Sequence, residues 1–311
     1  MILLFTHSGD EYCVPLVAGE LDKNQLPYRI VYTDRFPLDY EILLSTSGVH
    51  GIIIKQEFIP ADLISAVWIR KWVSPGSFVT EGYHPGIFPE SDRVLRQFLT
   101  TLKPGTKIMD SLECISNSEN KWVQMVLAKK CDLLVPDTII TNHPYYSREF
   151  TQSRATVVKL QIPLSWSMDG GGEFFYTTDW SDFETSQYKE LLNAPLTYQE
   201  KVEKKEEYRV IYVDGDFHCG VIPGNIFDRQ TDWRIPGTQF QWQTGKLPAP
   251  IRGKLKRFMQ ELGLNFGAID LIHTPKNEWY FLEVNPTGEW GMLEKNLHLP
   301  ISKSIARFLS Q

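Results

Sequence analysis

A mixed α/β fold is what the sequence predicts, and three features predict it. The chain opens on a βαβ pattern: apolar Ile2 to Thr6, an amphipathic stretch from about Glu11 to Leu21, then Tyr28 to Tyr32 ending at Asp34. That spacing suits two parallel strands joined by a helix. Short strand-like and helix-like runs alternate through the middle of the chain. Near the carboxyl end, Phe266 to Trp290 reads FGAIDLIHTPKNEWYFLEVNPTGEW, two strand-like runs about a polar turn that contains Pro275.

Taken in order, Ile52 to Ile54 and Val67 to Arg70 continue the strand series, and Ser91 to Thr101 has a helical pattern. The loop Thr6-His7-Ser8-Gly9-Asp10 has one glycine and neither a GxGxxG nor a GKS pattern, so it is read as a βα turn. A first domain is expected to end near Ser111, after the turn Lys103-Pro104-Gly105. Ser116-Asn117-Ser118-Glu119 has capping-box spacing and is expected to open a helix to about Lys130, with Lys121 in its first turn. Strands follow at Val135 to Thr141 and at Thr156 to Leu160, which carries Lys159. Gly170, Gly171 and Gly172 then read as a hairpin tip before Phe174 to Thr177, with amides able to face an anion. Ser181 to Leu192 is helical in pattern. Pro195 to Val202 and Tyr208 to Val213 are strand-like, and the charged run Glu203 to Glu207 between them reads as a solvated turn, with Glu207 on the face of Arg209 if the strand starts there. Ile251 to Leu262 is amphipathic through Leu255, Phe258 and Leu262, and Ile301 to Leu309 closes the chain as a helix. Three segments are expected: 1–112, 113–196 and 197–311.

Charge and cysteine usage narrow the function classes. A net charge of -6 without a Lys/Arg block argues against a nucleic-acid partner. Cys13, Cys114, Cys131 and Cys219 are far apart with no CxxC pair, and the seven histidines form no HxxxH or HxH group. Neither a disulfide scaffold nor a zinc site is expected. The start MILLFTHSGD is too short for a signal peptide or a membrane span, so a cytoplasmic protein without a membrane partner is expected.

The acidic hairpin carries the chemistry. A turn centred on Lys276 and Asn277 sets Asp270 opposite Glu283 and Ala268 opposite Asn285. Glu283 and Asn285 then share one side, while Leu282 and Val284 point into apolar packing. Paired carboxylates repel unless a cation neutralises them, and two carboxylates with an amide suit Mg²⁺ shared with nucleotide phosphates. The alternative is a solvated edge hairpin with chance acids.

An early helix lysine, a strand lysine before a glycine-rich tip, Gln199-Glu200-Lys201-Val202, Arg209, Arg234 and the acidic hairpin, in that order, resemble the ATP-grasp superfamily. Within it, THSGDEY and YTDRFP, SAVWIRKW at Ser65 to Trp72, VPDTIITN at Val135 to Asn142, and LEVNPTGEW are similar to the microviridin-type macrocyclising ligases that modify ribosomally made peptides. The resemblance implies an ATP-grasp fold preceded by a Rossmann-like pre-ATP-grasp domain, ATP and Mg²⁺ as cofactors, a precursor peptide with a leader as partner, and a homodimer.

It implies residue roles as well. Lys121 and Lys159 would hold the α- and β-phosphates under the Gly170–Gly172 tip. Glu200 and Lys201 would meet the adenine edge through the main chain, and Glu207 the ribose hydroxyls. Arg209 and Arg234 would face the γ-phosphate and an acyl phosphate, and Asp270, Glu283 and Asn285 would bind Mg²⁺. Arg70 would orient the acceptor carboxylate, with Trp68 either beside it or in the core, and Phe174 to Leu192, with Asp182 and Glu184, would meet the leader. The glycine loop begins SWSMD, longer and more polar than the family pattern, which leaves its phosphate-contacting residues open. The expected chemistry activates an Asp or Glu side chain of the peptide as an acyl phosphate, to be attacked by a Thr or Ser hydroxyl or a Lys amine of the same peptide. A glutamate-ligase or glutathione-synthetase kind of ligase shares every ATP residue, and a non-catalytic ATP-binding scaffold is the third reading.

Overall fold

The computed structural model describes residues 1–77, 82, 84–161, 165–168, 171–174, 176–224 and 241–311. Its first strand, β1 (Ile2–Thr6), is buried along its length and pairs in parallel with β2 (Tyr28–Tyr32) across the helix α1 (Cys13–Lys23). An unbroken apolar run is what a strand covered on both faces requires. Leu3 and Phe5 enter one core, Ile2 and Leu4 another. The run at Ile52 to Ile54 does not extend this sheet. It lies in β4 (His50–Ile54), which pairs antiparallel with β3 (Tyr40–Leu44) and β5 (Glu57–Pro60) in a separate sheet. The parallel sheet instead gains β6 (Ala66–Ile69), then β7 (Lys107–Met109) after the helix α2 (Ile87–Leu99), giving the order β2-β1-β6-β7. Trp68 is core, packed with Ile2, Leu4 and Met109.

The expected capping box is not used. Ser116 to Ser118 are already helical, inside α3 (Leu112–Ser118), because Ser111 Oγ accepts from the Cys114 amide at 3.1 Å and starts that helix earlier. A separate helix α4 (Lys121–Lys130) begins after Asn120, whose Oδ1 accepts from the Val123 amide at 3.1 Å, so Lys121 does sit in a first turn.

The middle of the chain runs β8 (Thr138–Thr141), α5 (Pro144–Ser153), β9 (Thr156–Lys159), β10 (Ser165–Met168), β11 (Gly171–Phe174), β12 (Thr178–Asp179), α6 (Trp180–Thr185), a 3₁₀ turn at Gln187–Asn193, and β13 (Leu196–Glu200). The order β12-β9-β13-β8 makes one sheet, and β10 with β11 a hairpin apart from it. Gly171 and Gly172, expected in the tip, are strand residues, paired with Met168 and Ser167; Gly170 lies outside the described residues. The boundary between residues 196 and 197 falls inside β13, which pairs with both β8 and β9; the charged break follows this strand.

An antiparallel sheet of order β16-β15-β14-β17-β18 completes the chain, from β14 (Glu206–Val213), β15 (Asp216–Pro223), β16 (Gln243–Thr244), β17 (Phe266–His273) and β18 (Trp279–Asn285). Glu206 and Glu207 belong to β14, and Glu207 is buried, so the charged run is only in part a solvated turn. Alternation along β14 serves two cores. Val210 and Tyr212 pack with α4 and with Leu255, Phe258 and Met259 of α7 (Ala249–Leu262). Ile211 and Val213 pack with α1, β6 and the C-terminal helices α8 (Gly291–Leu297) and α9 (Ile301–Ser310). The hairpin pairs Asp270 with Glu283 and Ala268 with Asn285, as expected, but its register shifts between Asp270 and Leu271. That irregularity puts Phe281 and Val284 into the core and leaves Leu282 half-buried, a correction to the simple alternation. Among the described residues no helix is long and apolar enough to cross a membrane.

Candidate functional site

Three adjacent strands of the C-terminal sheet carry charged residues in register. Arg209 on β14 stands opposite Asp270 on β17, which stands opposite Glu283 on β18. Arg209 Nη1 donates to both Asp270 oxygens, at 2.9 and 2.8 Å, and both residues are buried. Glu283 is more open and pairs with Lys121 Nζ at 2.7 Å. Asn285 follows on the same side, and its Oδ1 accepts from the Thr287 amide at 2.9 Å.

Helix α4 is registered to this row by Gln124, which escaped the sequence reading. Its buried side-chain amide donates to the Ser118 and Val284 carbonyls, at 2.6 and 2.8 Å, and its Oε1 accepts from the Val284 amide at 2.9 Å. One turn earlier on the same helix, Lys121 is thereby held over Glu283. Gly288 was missed too. A Cβ there would lie 2.4 Å from Ala268 Cβ and 3.0 Å from Arg209 Nη2, so only glycine lets the loop pass over β17.

The donor set fits Mg²⁺. Among the described residues no three His, Cys, Asp or Glu side chains group as a metal site. Two carboxylates and an amide on neighbouring strands are what a Mg²⁺ ion needs when phosphate oxygens and water complete its shell.

Of the other expected residues, Lys159 and Glu200 lie on the middle sheet, Lys201 follows it, and Glu207 lies on β14 of the C-terminal sheet. Lys159 ends β9 and its Nζ donates to Gln199 Oε1 at 2.7 Å, across the pair Thr197 and Lys159. The amides of Glu200 and Lys201 donate to the Asp137 and Ala155 carbonyls, both at 2.8 Å. Both amides are thus engaged within the protein. Glu207 accepts from Lys204 Nζ at 2.7 Å. Asp182 and Glu184 are exposed on α6, away from the acidic row in sequence and in sheet. Arg234 lies outside the described residues, as does Gly170.

Arg70 meets a carboxylate of the protein itself: its guanidinium holds that of Glu289, with Nη2 to Oε2 at 2.6 Å, and its Nη1 donates to the Thr287 carbonyl at 2.5 Å. Burial alone would raise the Glu289 carboxyl, but Arg70 and Lys71 beside it hold it below the usual range. The sequence reading had no signal for Glu289, since its partners lie more than two hundred residues away.

Comparison with known proteins identifies the family. Residues 1–116 match the family model described as the MvdD pre-ATP grasp domain. No curated protein sequence matches the chain. Among solved structures, the chain resembles the macrocyclase MdnC of Microcystis aeruginosa MRC, bound with the precursor peptide MdnA, at 27% identity and a TM-score of 0.84 over 100% of this chain and 99% of that one. A RiPP-associated ATP-grasp ligase of Chryseobacterium gregarium, in complex with ADP and a leader and core peptide, gives 25% identity and a TM-score of 0.87 over 99% of this chain and 96% of that one. The macrocyclase MdnB of Microcystis aeruginosa MRC is 33% identical over 99% of this chain and 98% of its own, with a TM-score of 0.81. At that identity over essentially the whole length, the chain belongs to the ATP-grasp macrocyclases that act on ribosomally made peptides.

Proposed function

We propose that this enzyme uses ATP and Mg²⁺ to join Asp or Glu side chains of a ribosomal precursor peptide to Thr or Ser hydroxyls of the same peptide, releasing ADP and phosphate. The observation that carries the reading is the row Arg209, Asp270, Glu283 and Asn285, with Lys121 set over it. Bound ATP supplies the phosphoryl group that converts a carboxylate into an acyl phosphate, a species that a hydroxyl can attack. Asp270, Glu283 and Asn285 hold the metal. Arg209, oriented by Asp270, faces the charge that builds during phosphoryl and acyl transfer. Lys121 and Lys159 meet the α- and β-phosphates, with Gly170, Gly171 and Gly172 covering them and Arg234 at the γ-phosphate. Glu200 and Lys201 meet the base, and Glu207 the ribose. The leader binds along Phe174 to Leu192 with Asp182 and Glu184, which raises the local concentration of the core segment. Segments 1–112, 113–196 and 197–311, acting in a cytoplasmic homodimer, complete the reading; light scattering tests the dimer.

Mass spectrometry of a candidate precursor after incubation with enzyme, Mg²⁺ and ATP tests the reaction. Each bond formed removes one water without any added amino acid, and mild alkali restores the lost mass if the bonds are esters. Alkali-stable losses would mean amides. A mass gain that depends on an added amino acid would overturn macrocyclisation in favour of a glutamate-ligase type of reaction.

A further inference from the structure

Arg70 follows β6 at the carboxyl edge of the parallel sheet, and its amide donates to the Phe5 carbonyl at 2.9 Å. The crossovers from β1 and β6 leave in opposite directions here, the place where open parallel sheets form a crevice. The side chain, 2% exposed, crosses that crevice into the loop between Asn285 and Trp290. Nη1 donates to the Thr287 carbonyl at 2.5 Å, Nη2 meets Glu289 at 2.6 Å, and Nε stands 3.7 Å from Asp10 Oδ2. The same Thr287 donates its amide to Asn285 Oδ1 at 2.9 Å, and the Glu289 carbonyl accepts from Arg209 Nη2 at 3.4 Å. Burying a guanidinium is costly, and a well-packed apolar side chain would fill the space at least as stably. Its fork, by contrast, fixes two points of one loop at once.

We propose that Arg70 is a positioning residue, which acts through Thr287 and Glu289 to set the side-chain oxygen of Asn285 and the guanidinium of Arg209 for a metal-bound nucleotide. This inference rests on the metal role of Asp270, Glu283 and Asn285 proposed above. ADP binding is titrated calorimetrically with Mg²⁺ and, separately, with chelator, for the wild type, Arg70→Gln, Arg70→Lys, Glu289→Gln and Glu283→Gln. Arg70→Gln is expected to lose about 10-fold of the Mg²⁺-dependent affinity, the low end of the effect of removing a direct partner of a metal ligand because Arg70 acts one contact further out, and to keep the affinity measured in chelator. Arg70→Lys keeps the charge but not the fork, and is expected to lose affinity in the same way, which covers the case in which the glutamine variant fails to fold. Glu289→Gln should lose less, since the Thr287 contact remains. Equal losses with and without Mg²⁺ would reduce Arg70 to general packing and overturn the proposal. So would wild-type Mg²⁺ dependence in both Arg70 variants when Glu283→Gln has abolished it. If Glu283→Gln itself keeps the Mg²⁺ dependence, the metal reading fails and takes this inference with it.

Discussion

Asp270 and Glu283 face each other across the hairpin, yet their replacement by the isosteric amides should have unequal effects on folding. Asp270 is about as deeply buried as its partner, with side-chain exposures of 10% and 9% for Asp270 and Arg209. Changing Asp270 to Asn leaves a buried guanidinium facing a neutral amide, and breaking a buried pair in this way costs about 3–5 kcal/mol. The Glu283–Lys121 pair is 22% and 34% exposed, close to a surface pair, for which about 0.2–1 kcal/mol is expected. The two variants should therefore differ in unfolding free energy by at least about 2 kcal/mol, while both lose most ADP formation. Urea unfolding followed by tryptophan fluorescence measures the first quantity, and coupled-enzyme detection of ADP the second. Removing both charges, as in Asp270→Leu with Arg209→Met, should recover part of the lost stability without recovering activity, because no buried charge is left uncompensated. Equal destabilisation by Asp270→Asn and Glu283→Gln would refute the reasoning, as would near wild-type turnover in Glu283→Gln at saturating ATP and peptide.

Removing the Lys159 ammonium should weaken binding of a non-hydrolysable ATP analogue by roughly 1.5–3 kcal/mol, the scale of a charged hydrogen bond; unchanged affinity in Lys159→Ala would place this lysine outside the nucleotide site. Gly288→Ala forces a methyl group against Ala268 and Arg209, and should cost about 1–3 kcal/mol of stability together with a marked loss of turnover; a variant as stable and active as the wild type would contradict the contact geometry. Burial pushes the Asp110 carboxyl from 3.8 up to about 6, against the lowering by the Asn265 and Phe266 amides. A raised folded value means that the stabilisation is complete below the unfolded value and is lost as pH climbs through about 6, an effect of about 3 kcal/mol. The stability of the wild type relative to Asp110→Asn should accordingly fall between about pH 4 and about pH 7, and a pH-independent difference would remove Asp110 as its source.

What could be read from the sequence was local or periodic. The βαβ opening followed from an apolar run and its spacing, and Asp270 was set opposite Glu283 by alternation alone. That second success hides a compensation. The hairpin closes with His273 opposite Trp279, tighter than a turn centred between Lys276 and Asn277 allows, and the irregularity near Leu282 restores the register beside the site. The cap of α4 was misplaced because Ser111 and Asn120 cap two short helices where one was expected, although Lys121 keeps its place in a first turn. Gln124, Gly288 and Glu289 were beyond reach for a different reason. Each acts through partners far along the chain, Gln124 through Val284 and Glu289 through Arg70, and no local pattern marks such contacts. The ion pair of Arg70 with the enzyme's own Glu289 was not legible for the same reason, since the two residues lie far apart in the chain.

The side-chain amide of Gln124 also has a consequence for what the sheet can capture. β18 is an outer strand, and an outer strand with idle backbone groups is a template on which another chain can grow. At Val284 both of those groups are taken by Gln124, a side chain imitating one residue of a missing neighbour, and at Phe281 the amide is taken by the Leu134 carbonyl at 2.8 Å. Were this border open beside Glu283 and Asn285, any extended segment could bind there by backbone alone, in any register and with indifference to its side chains. With these positions occupied from within, an extended segment gains little from its main chain at this border. The same closure withholds a seed for fibrous self-association from the strand that the chemistry can least spare.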